Sequence, residues 1–325
     1  MKATTRTVTL AAAMLMAAGS AASAETLLFA GPDGTVHALD TTSGQIAFRG
    51  VCSGPVSSMT VHDATLYLGD HNGSIYAYDL ATDAVTGAIA LDSDANAMAW
   101  LGDQLVVADS AGVINYVDPQ TGAIDSTVDN INTDITAMGI DSGGLFVGGQ
   151  SSLASRSHIG QDNFQPFAAC GSQIQSMAFN ADTMFLAGTQ FFGDESGTIY
   201  LFDKFEGGID YADTHPVASD VTAMVAANGM LYIAGSDGDI HEMDPATGMI
   251  ARVFATGIDI QAMAPESGLI SCPADYDASG QLNFVDISLF VDLFVGQQIP
   301  ADTNGDGNFD YYDISRFLAI YTGGC

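Results

Sequence analysis

The body of the chain repeats itself about every 39 residues over residues 25–268, and this periodicity limits the possible folds more than any other feature. A short segment containing methionine recurs six times, at Met59, Met98, Met138, Met177, Met224 and Met263. Two further kinds of segment accompany it, of which Leu66-Tyr-Leu-Gly69 and Ile75-Tyr-Ala-Tyr-Asp79 are typical. They are short, β-branched or aromatic and bounded by turn residues, so they predict strands. Roughly four strands in forty residues is typical of a propeller blade, and the repeats therefore predict an all-β, six-bladed β-propeller.

The two ends of the repeat array complement each other. The chain enters at the second kind of strand, near Leu27, and the array finishes at the first kind, near Met263. We therefore expect the last strand to complete the sheet that the first residues begin, which removes the open edge of a linear array. We also expect the six methionines to share one buried position on the innermost strands. The glycines expected in hairpin turns are Gly34, Gly73, Gly112 and Gly238.

The first 24 residues are typical of a secretory leader. Lys2 and Arg6 precede an apolar stretch, residues 8–18, that is too short to span a bilayer. Ala22-Ser23-Ala24 has the small residues of a cleavage site. We predict that residues 1–24 are a signal peptide. The mature protein is then secreted, to the extracellular space, the cell surface or the periplasm. No later segment is long and apolar enough to predict insertion into a membrane.

The charge of the mature chain excludes some partners. Without Lys2 and Arg6, five basic residues remain against 39 acidic ones, a formal charge of −34. Such a charge argues against binding to nucleic acids and to anionic membranes. The acidic surface either keeps the protein solvated in salty surroundings or recruits cations and basic partners.

Residues 272–325 contain two acidic loops of one design, which begin at Asp275 and Asp302. Oxygen-bearing side chains recur at loop positions 1, 3, 5, 9 and 12, and glycine stands at position 6 of both loops. This spacing predicts two Ca²⁺ ions, because calcium takes six to eight oxygen ligands around one point. The candidate metal ligands are Asp275, Asp277, Ser279, Gln281, Asn283 and Asp286 in the first loop and Asp302, Asn304, Asp306, Asn308, Asp310 and Asp313 in the second. Positions 7 would contribute backbone carbonyls, and positions 9 would act through water.

Helices are predicted after these loops but not before them, because Pro273 and Pro300 stand where an entering helix would be needed. A calcium loop followed by one helix, duplicated, resembles the dockerin module of cellulosomal proteins. The start Cys272-Pro273-Ala274-Asp275 and the end Gly323-Gly324-Cys325 resemble the GC-type dockerin-like modules of secreted bacterial proteins. The resemblance implies calcium-dependent folding and attachment to a protein partner or a cell-surface component.

This module departs from the dockerins that bind cohesins. Those carry small hydroxyl residues at loop positions 10 and 11, where this chain has Phe284, Val285, Tyr311 and Tyr312.

The turn after the third strand of a repeat often has the form Asp-x-x-Thr-Gly, as in residues 118–122 and 244–248. This phrase resembles the repeats of quinoprotein-like and WD-type β-propellers. Quinone-dependent dehydrogenases of that kind generally have eight blades, tryptophan-bearing repeats and, in many cases, adjacent cysteines. Trp100 is the only tryptophan here and no two cysteines are adjacent, so the resemblance implies the fold and not the quinone cofactor.

Four cysteines in an exported chain predict disulfides, and three pairings are possible. Cys272 and Cys325 bracket the calcium module, so their pairing would join its ends. Cys52 and Cys170 would then either pair across the mouth of the propeller channel or remain separate thiols.

The repeats depart from their consensus in two neighbouring places. The fourth repeat lacks the Asp-x-x-Thr-Gly turn around Arg156 and His158, and the fifth has an apparent loop insertion that contains Phe191 and Phe192. These departures indicate either repeat drift or a patch for an unknown ligand on a propeller face.

No catalytic motif stands out. A nucleophile elbow, a His-Glu-x-x-His pair and a phosphate loop are all missing from the sequence. His37 and His241 occupy one strand position in different repeats, which indicates repeat variation rather than a ligand set. We therefore expect a noncatalytic binding or scaffold protein. The alternative is a carbohydrate-active or other hydrolytic enzyme that carries a dockerin-like tail.

Overall fold

The computed structural model describes most of the chain after residue 25. The described residues are 26–91, 93–101, 104–128, 134–141, 144–157, 164–180, 189–194, 197–203, 213–217, 219–227, 229–245, 247–266, 274, 276, 282, 284–296, 301, 303 and 308–323.

The described strands form six four-stranded antiparallel sheets, one for each repeat. The first contains β1 (Thr26–Ala30), β2 (Thr35–Asp40), β3 (Ile46–Val51) and the last strand, β24 (Ala262–Pro265). The second contains β4 (Val56–His62), β5 (Thr65–Asp70), β6 (Ser74–Asp79) and β7 (Ala84–Ala90). The third contains β8 (Ala97–Leu101), β9 (Gln104–Ala108), β10 (Ile114–Val117) and β11 (Ile124–Val128). The fourth contains β12 (Ile135–Asp141), β13 (Gly144–Gly149), β14 (Leu153–Ser157) and β15 (Gln165–Ala169). The fifth contains β16 (Ile174–Asn180), β17 (Thr189–Asp194), β18 (Thr198–Asp203) and β19 (Asp213–Pro216). The sixth contains β20 (Val221–Ala227), β21 (Met230–Gly235), β22 (Asp239–Asp244) and β23 (Met249–Ala255).

The sheets are arranged as a β-propeller. The innermost strands contact one another in a circuit that runs β4, β8, β12, β16, β20, β24 and back to β4. β24 pairs with β1 in antiparallel register, with Met263 opposite Phe29, so the end of the array completes the first sheet. The predicted joining of the two ends is confirmed, and it pairs the edge of β1 that would be open in a linear array.

The core lies between neighbouring sheets. All six repeat methionines lie on innermost strands and are buried, as predicted. One cluster joins Leu28 of the first sheet to Leu66 and Leu68 of the second. The outermost strands, such as β7, are largely exposed. Burial therefore decreases from the axis to the rim.

Two kinds of turn use special backbone geometry. Gly34, Gly73 and Gly238 have φ values of 79°, 82° and 78° in the predicted hairpin turns, where side chains are strongly disfavoured. In the Asp-x-x-Thr-Gly turn, Oδ1 of Asp118 accepts hydrogen bonds from the backbone N–H groups of Gln120 and Thr121, at 2.8 and 3.2 Å. Such an Asx turn explains why aspartate recurs where the third strand ends.

The fifth sheet corrects one expectation. The residues interpreted as a loop insertion, which include Phe191 and Phe192, form β17, and their backbones pair with both β16 and β18. A second apolar segment, residues 184–187, has the pattern of Leu66-Tyr-Leu-Gly69 and lies outside the described residues. Both segments are apolar and of strand length, and a sequence pattern cannot choose between two adjacent registers of this kind.

The structure decides between the two alternatives for Cys52 and Cys170, because the two are separate thiols and no disulfide joins them. Each residue directly follows an outermost strand, β3 in the first sheet and β15 in the fourth, so the two lie at opposite rims rather than at the channel mouth. Sγ of Cys52 instead donates to the carbonyl oxygen of Gly54 at 3.1 Å. Cys272 and Cys325 lie outside the described residues.

Two helices follow the acidic loops, as predicted: α1 (Phe284–Val295) and α2 (Tyr311–Gly323). Phe290 of α1 and Phe317 of α2 stack with ring centroids 4.0 Å apart and are almost fully buried. This pair is the centre of a small separate core. None of the described helices has the length and apolar character needed to cross a membrane.

Candidate functional site

One face of the propeller gathers aspartates around the ends of its inner strands. In each antiparallel sheet the start of the first strand and the turn between the second and third strands lie at the same face. We call it the acidic face, and its aspartates are Asp33, Asp70, Asp94, Asp109, Asp134, Asp220, Asp237 and Asp259. Four of these, Asp94, Asp134, Asp220 and Asp259, come within three residues of the start of an innermost strand. They therefore lie closest to the propeller axis.

Some of these carboxylates are used by the turns themselves. Oδ1 of Asp70 accepts hydrogen bonds from the backbone N–H groups of Asn72 and Ser74, at 2.9 and 2.8 Å. Asp109 makes the same pair of contacts in the third sheet. Both residues are buried, so they stabilise hairpins rather than meet ligands.

The carboxyl group of Asp134 stands in a partly buried, acidic environment on this face. Its pKa is raised, first by burial and then by repulsion from Asp94 and Asp109, although the side-chain amide of Gln150 donates to it. Burial and nearby like charges both disfavour the ionised form of a carboxyl group. The centre of the acidic face is therefore a place where a cation or a basic group would be stabilised.

A second candidate is a groove of about 780 Å³ on the opposite face, lined by turns of the second and third sheets. The lining residues include His62, Asp63, Tyr67 and Asp125. The ring of His62 stacks on buried Trp100 with centroids 4.1 Å apart. The lining residue His62 is therefore held in place by its contact with Trp100.

The turn at the edge of this groove is strained. Asp63 and Ala64 have φ values of 46° and 60°, although neither is glycine. A two-residue hairpin turn of this hand normally contains glycine or asparagine. Strain of this kind is found preferentially at functional sites, so it marks the groove as worth testing.

The groove carboxylates are arranged as hydrogen-bond acceptors. Backbone N–H donors, that of Gln120 first, lower the pKa of Asp118. Oδ2 of Asp125 accepts a hydrogen bond from Nε2 of Gln104 at 3.0 Å. A general acid needs a carboxyl group with a raised pKa, and Asp118 has the opposite shift. The described part of the groove is therefore better suited to holding a polar ligand than to acid catalysis.

The structure describes four of the twelve predicted calcium ligands. Asp286 and Asp313, at position 12 of the two loops, lie in the first turns of α1 and α2 and are fully buried. Asn308 and Asp310 are exposed, and the backbone N–H of Asp310 donates to Oδ2 of Asp313 at 2.9 Å. The other predicted ligands, namely Asp275, Asp277, Ser279, Gln281, Asn283, Asp302, Asn304 and Asp306, lie outside the described residues.

The described residues of the module fit a cation. A carboxylate that is wholly removed from water requires compensating charge or hydrogen bonds. Oδ2 of Asp313 accepts one such hydrogen bond, from the backbone N–H of Asp310. Asp286 and Asp313 both stand at position 12, where a calcium loop needs a carboxylate ligand, and their equivalent burial fits that role.

The predicted patch in the fourth and fifth repeats is not assembled by the described residues. Arg156 on β14 places its guanidinium over the ring of Phe146, 5.3 Å from the centroid, within its own sheet. Phe191 and Phe192 belong to β17 of the next sheet, and His158 lies outside the described residues.

The sequence analysis missed the acidic face and a cluster of Asp237, Asp239 and His241 beside it, which could hold a metal. For the acidic face, the signal in the sequence was the aspartate that precedes several methionine segments. For the cluster, it was the alternation of aspartate and histidine at residues 237, 239 and 241. Neither signal shows by itself which strand ends converge.

Comparisons with known proteins agree with this fold. A family model described as outer membrane protein assembly factor BamB matches residues 4–161, just under half of the chain. The repeats within this segment are therefore similar to those of the BamB model, and the body as a whole is a β-propeller. The chain also resembles a structure described as a nidogen/laminin complex, with a TM-score of 0.66 and 15% sequence identity, over 74% of this chain and 98% of that one. A second similar structure is that of a mitotic checkpoint complex, with a TM-score of 0.55 and 14% identity over 73% and 77% of the two chains. At these sequence identities the similarity establishes a shared fold and nothing further. No curated protein sequence matches the chain.

Proposed function

We propose that this chain is an exported, noncatalytic binding protein in which a six-bladed propeller presents the acidic face to a basic protein partner. The observation that carries the proposal is the convergence of aspartates around the ends of the innermost strands. Asp134 at its centre has a raised pKa, first because burial disfavours its charged form and then because Asp94 and Asp109 repel it. A cationic partner would relieve this repulsion, and the net charge of the mature chain would speed its approach.

Further support comes from the groove chemistry and from the comparisons. Two carboxylates of the groove, Asp118 and Asp125, are committed to hydrogen bonds with a turn and with Gln104, which suits them poorly for acid–base work. Two of the solved structures that resemble the chain are described as protein complexes.

The C-terminal module, residues 272–325, would attach the propeller to a partner or a cell surface in a calcium-dependent way. Its two loops would hold two Ca²⁺ ions through the side chains at positions 1, 3, 5 and 12 and the backbone carbonyls of Gln281 and Asn308. The burial of Asp286 and Asp313 supports this assignment. The domains would then be a leader at 1–24, the propeller at 25–268 and this module, with the mature protein outside the cytoplasm.

Charge removal on one face tests the propeller proposal. The variant D134N/D220N/D259N removes three charges from the acidic face, and D63N/D79N/D125N removes three from the opposite face as a matched control. Binding of a fluorescent oligolysine peptide at low salt should weaken about tenfold in the first variant only, at roughly 0.5 kcal/mol for each exposed charge. Equal weakening in both variants would show that net charge, and not this face, attracts the peptide.

Calorimetry tests the module. An isolated 272–325 fragment should bind about two equivalents of Ca²⁺ and gain helical circular dichroism as it does so. The variant D286N/D313N should bind at least about tenfold more weakly, because each loop loses a charged ligand. A wild-type fragment that binds no calcium would overturn the assignment.

A hydrolytic enzyme is the second candidate, and the strained turn at Asp63 and Ala64 beside the groove is the observation that favours it. Turnover of polysaccharide or ester substrates that is abolished by H62A/D63N and retained by D134N/D220N/D259N would support the enzyme over the binding protein.

A further inference from the structure

A tight cluster of three ligand-type side chains lies on the hairpin between β21 and β22 in the sixth sheet. Asp237, Asp239 and His241 each place one potential ligand atom within 4.8 Å of the others. Asp239 and His241 are two residues apart on β22, so they point to the same side of the strand. Asp237 belongs to the preceding turn, which Gly238 completes with a φ of 78°. The local fold therefore brings the three side chains together without help from another sheet.

The carboxylate of Asp237 is held in a defined orientation. Its Oδ1 accepts a hydrogen bond from the backbone N–H of Asp239 at 3.1 Å. Its other oxygen, Oδ2, lies 3.6 Å from Nε2 of His241. One oxygen therefore stabilises the turn, and the other is aimed at the imidazole.

The imidazole of His241 has a buried ring nitrogen that makes no hydrogen bond to the protein. Its side chain is only 10% exposed, and its buried Nε2 has no hydrogen-bond partner. A separation of 3.6 Å is too long for a hydrogen bond to Asp237. Buried polar atoms are nearly always satisfied, so a buried ring nitrogen of this kind calls for a further group between it and the carboxylates.

We propose that Asp237, Asp239 and His241 bind a divalent transition-metal ion of the zinc class at the rim of the acidic face. Imidazole nitrogen and carboxylate oxygen are both zinc ligands. Two ligands at about 2.0–2.1 Å from a tetrahedral zinc ion lie roughly 3.3 Å apart. The 3.6 Å between Nε2 and Oδ2 therefore needs to shorten by only a few tenths of an ångström.

The site differs in chemistry from the C-terminal calcium loops. Calcium is a hard cation that selects oxygen ligands, whereas a histidine favours zinc and its neighbours in the transition series. Three protein ligands also leave a coordination position open to water or to a group from a partner. Asp237 is partly exposed, so that position faces solvent. The inference does not depend on which partner the acidic face binds.

The first repeat contains a natural comparison. Asp33, Thr35 and His37 occupy the corresponding positions there, so a threonine replaces the second carboxylate. The hydroxyl of Thr35 donates to Oδ1 of Asp33 at 2.6 Å and occupies that oxygen. The ring of His37 stacks against Phe29 with centroids 5.4 Å apart. We therefore expect no metal at the first repeat, and its histidine serves as a matched control.

Zinc titration of the full mature chain, with both calcium loops kept saturated, tests the inference. The variant D239T gives the sixth repeat the arrangement of the first, H241L removes the buried nitrogen, and H37L is the control. Wild type and H37L should bind one more equivalent of Zn²⁺ than D239T and H241L. The affinity at this site should fall at least about 100-fold in both ligand variants, since loss of an outer-sphere partner alone costs 10- to 100-fold.

Histidine ¹⁵N resonances provide a second measurement that does not depend on stoichiometry. One imidazole should shift on addition of zinc in wild type and in H37L, and that resonance should be missing in H241L. D239T replaces a partly buried surface residue, so it keeps the test valid even if H241L proves unstable. Equal zinc binding by wild type and D239T would overturn the inference, as would a wild-type chain that binds no zinc.

Discussion

Truncation of Met263 to alanine tests whether the propeller is closed by its last strand. Met263 lies on β24, is 7% exposed, and is opposite Phe29 of β1. Met138 has the equivalent place on β12, is 8% exposed, and belongs to the middle of the chain. The two positions are equivalent in a closed ring. In an open array, by contrast, β24 would be a terminal strand, and truncation there would remove few contacts.

The expected magnitude follows from burial. Met→Ala removes three heavy atoms from the core, which at about 0.8 kcal/mol for each buried group amounts to roughly 2.4 kcal/mol. The cavity that remains adds to this loss, and measured Met→Ala costs fall at about 2–5 kcal/mol. We therefore expect M263A and M138A each to lower the free energy of unfolding by about 2.5–4 kcal/mol, and to differ by less than about 1 kcal/mol.

Urea denaturation in a buffer that contains calcium measures both variants. Trp100 is the only tryptophan and is buried in the third sheet, so its fluorescence reports on a region remote from the closure. Circular dichroism reports on all the sheets. If M263A lost less than about 1 kcal/mol while M138A lost the full amount, or if circular dichroism changed before Trp100 fluorescence in M263A, the argument from ring closure would be refuted.

Three further outcomes are expected. Backbone N–H donors hold the pKa of Asp40, Asp79 and Asp118 below the ordinary value. These three carboxylates therefore contribute their full stabilisation above about pH 4, and the contribution is lost as the pH falls through the folded-state pKa. The triple Asp→Asn variant should therefore show a flatter acid limb in a plot of urea midpoint against pH, and an unchanged limb would contradict this. G73A should cost at least about 2 kcal/mol by urea denaturation, because φ is 82° and a Cβ would lie 2.3 Å from the Ser93 carbonyl oxygen. Burial raises the pKa of the Cys52 thiol, so this thiol should react slowly with a thiol reagent in the native chain. After denaturation it should react rapidly without reductant. If the denatured chain reacted only after reduction, the absence of a disulfide at Cys52 would be contradicted.

The sequence predicted the β-propeller because its inner strands leave a strong pattern. A residue such as Met98 is enclosed by neighbouring sheets, so burial constrains the same position in every repeat. The hairpin glycines were equally predictable, since a φ near 80° at Gly34 or Gly238 excludes most side chains.

Other features depend on distances that a repeat pattern does not contain. The fifth sheet offers two adjacent apolar segments of strand length, and only the pairing partners of Thr189–Asp194 select one of them. Cys52 and Cys170 each lie seven residues before their repeat methionine. That spacing places them between an outermost strand and the next innermost strand, but it does not show which of the two strands they lie closer to. The acidic face arises because separate strand ends meet, which no local window of sequence shows.

Function in a ring of similar sheets depends on small differences between equivalent positions. The hairpins of the first and sixth sheets both carry Asp-Gly, and three residues after that glycine both carry a histidine. In the first, the backbone N–H and the hydroxyl of Thr35 both donate to Oδ1 of Asp33. In the sixth, the backbone N–H of Asp239 donates to Oδ1 of Asp237 in the same way, and the side chain of Asp239 supplies a second carboxylate near buried His241. Because the hairpins share this backbone contact, a single Thr-to-Asp difference is enough to complete the proposed set of three metal ligands.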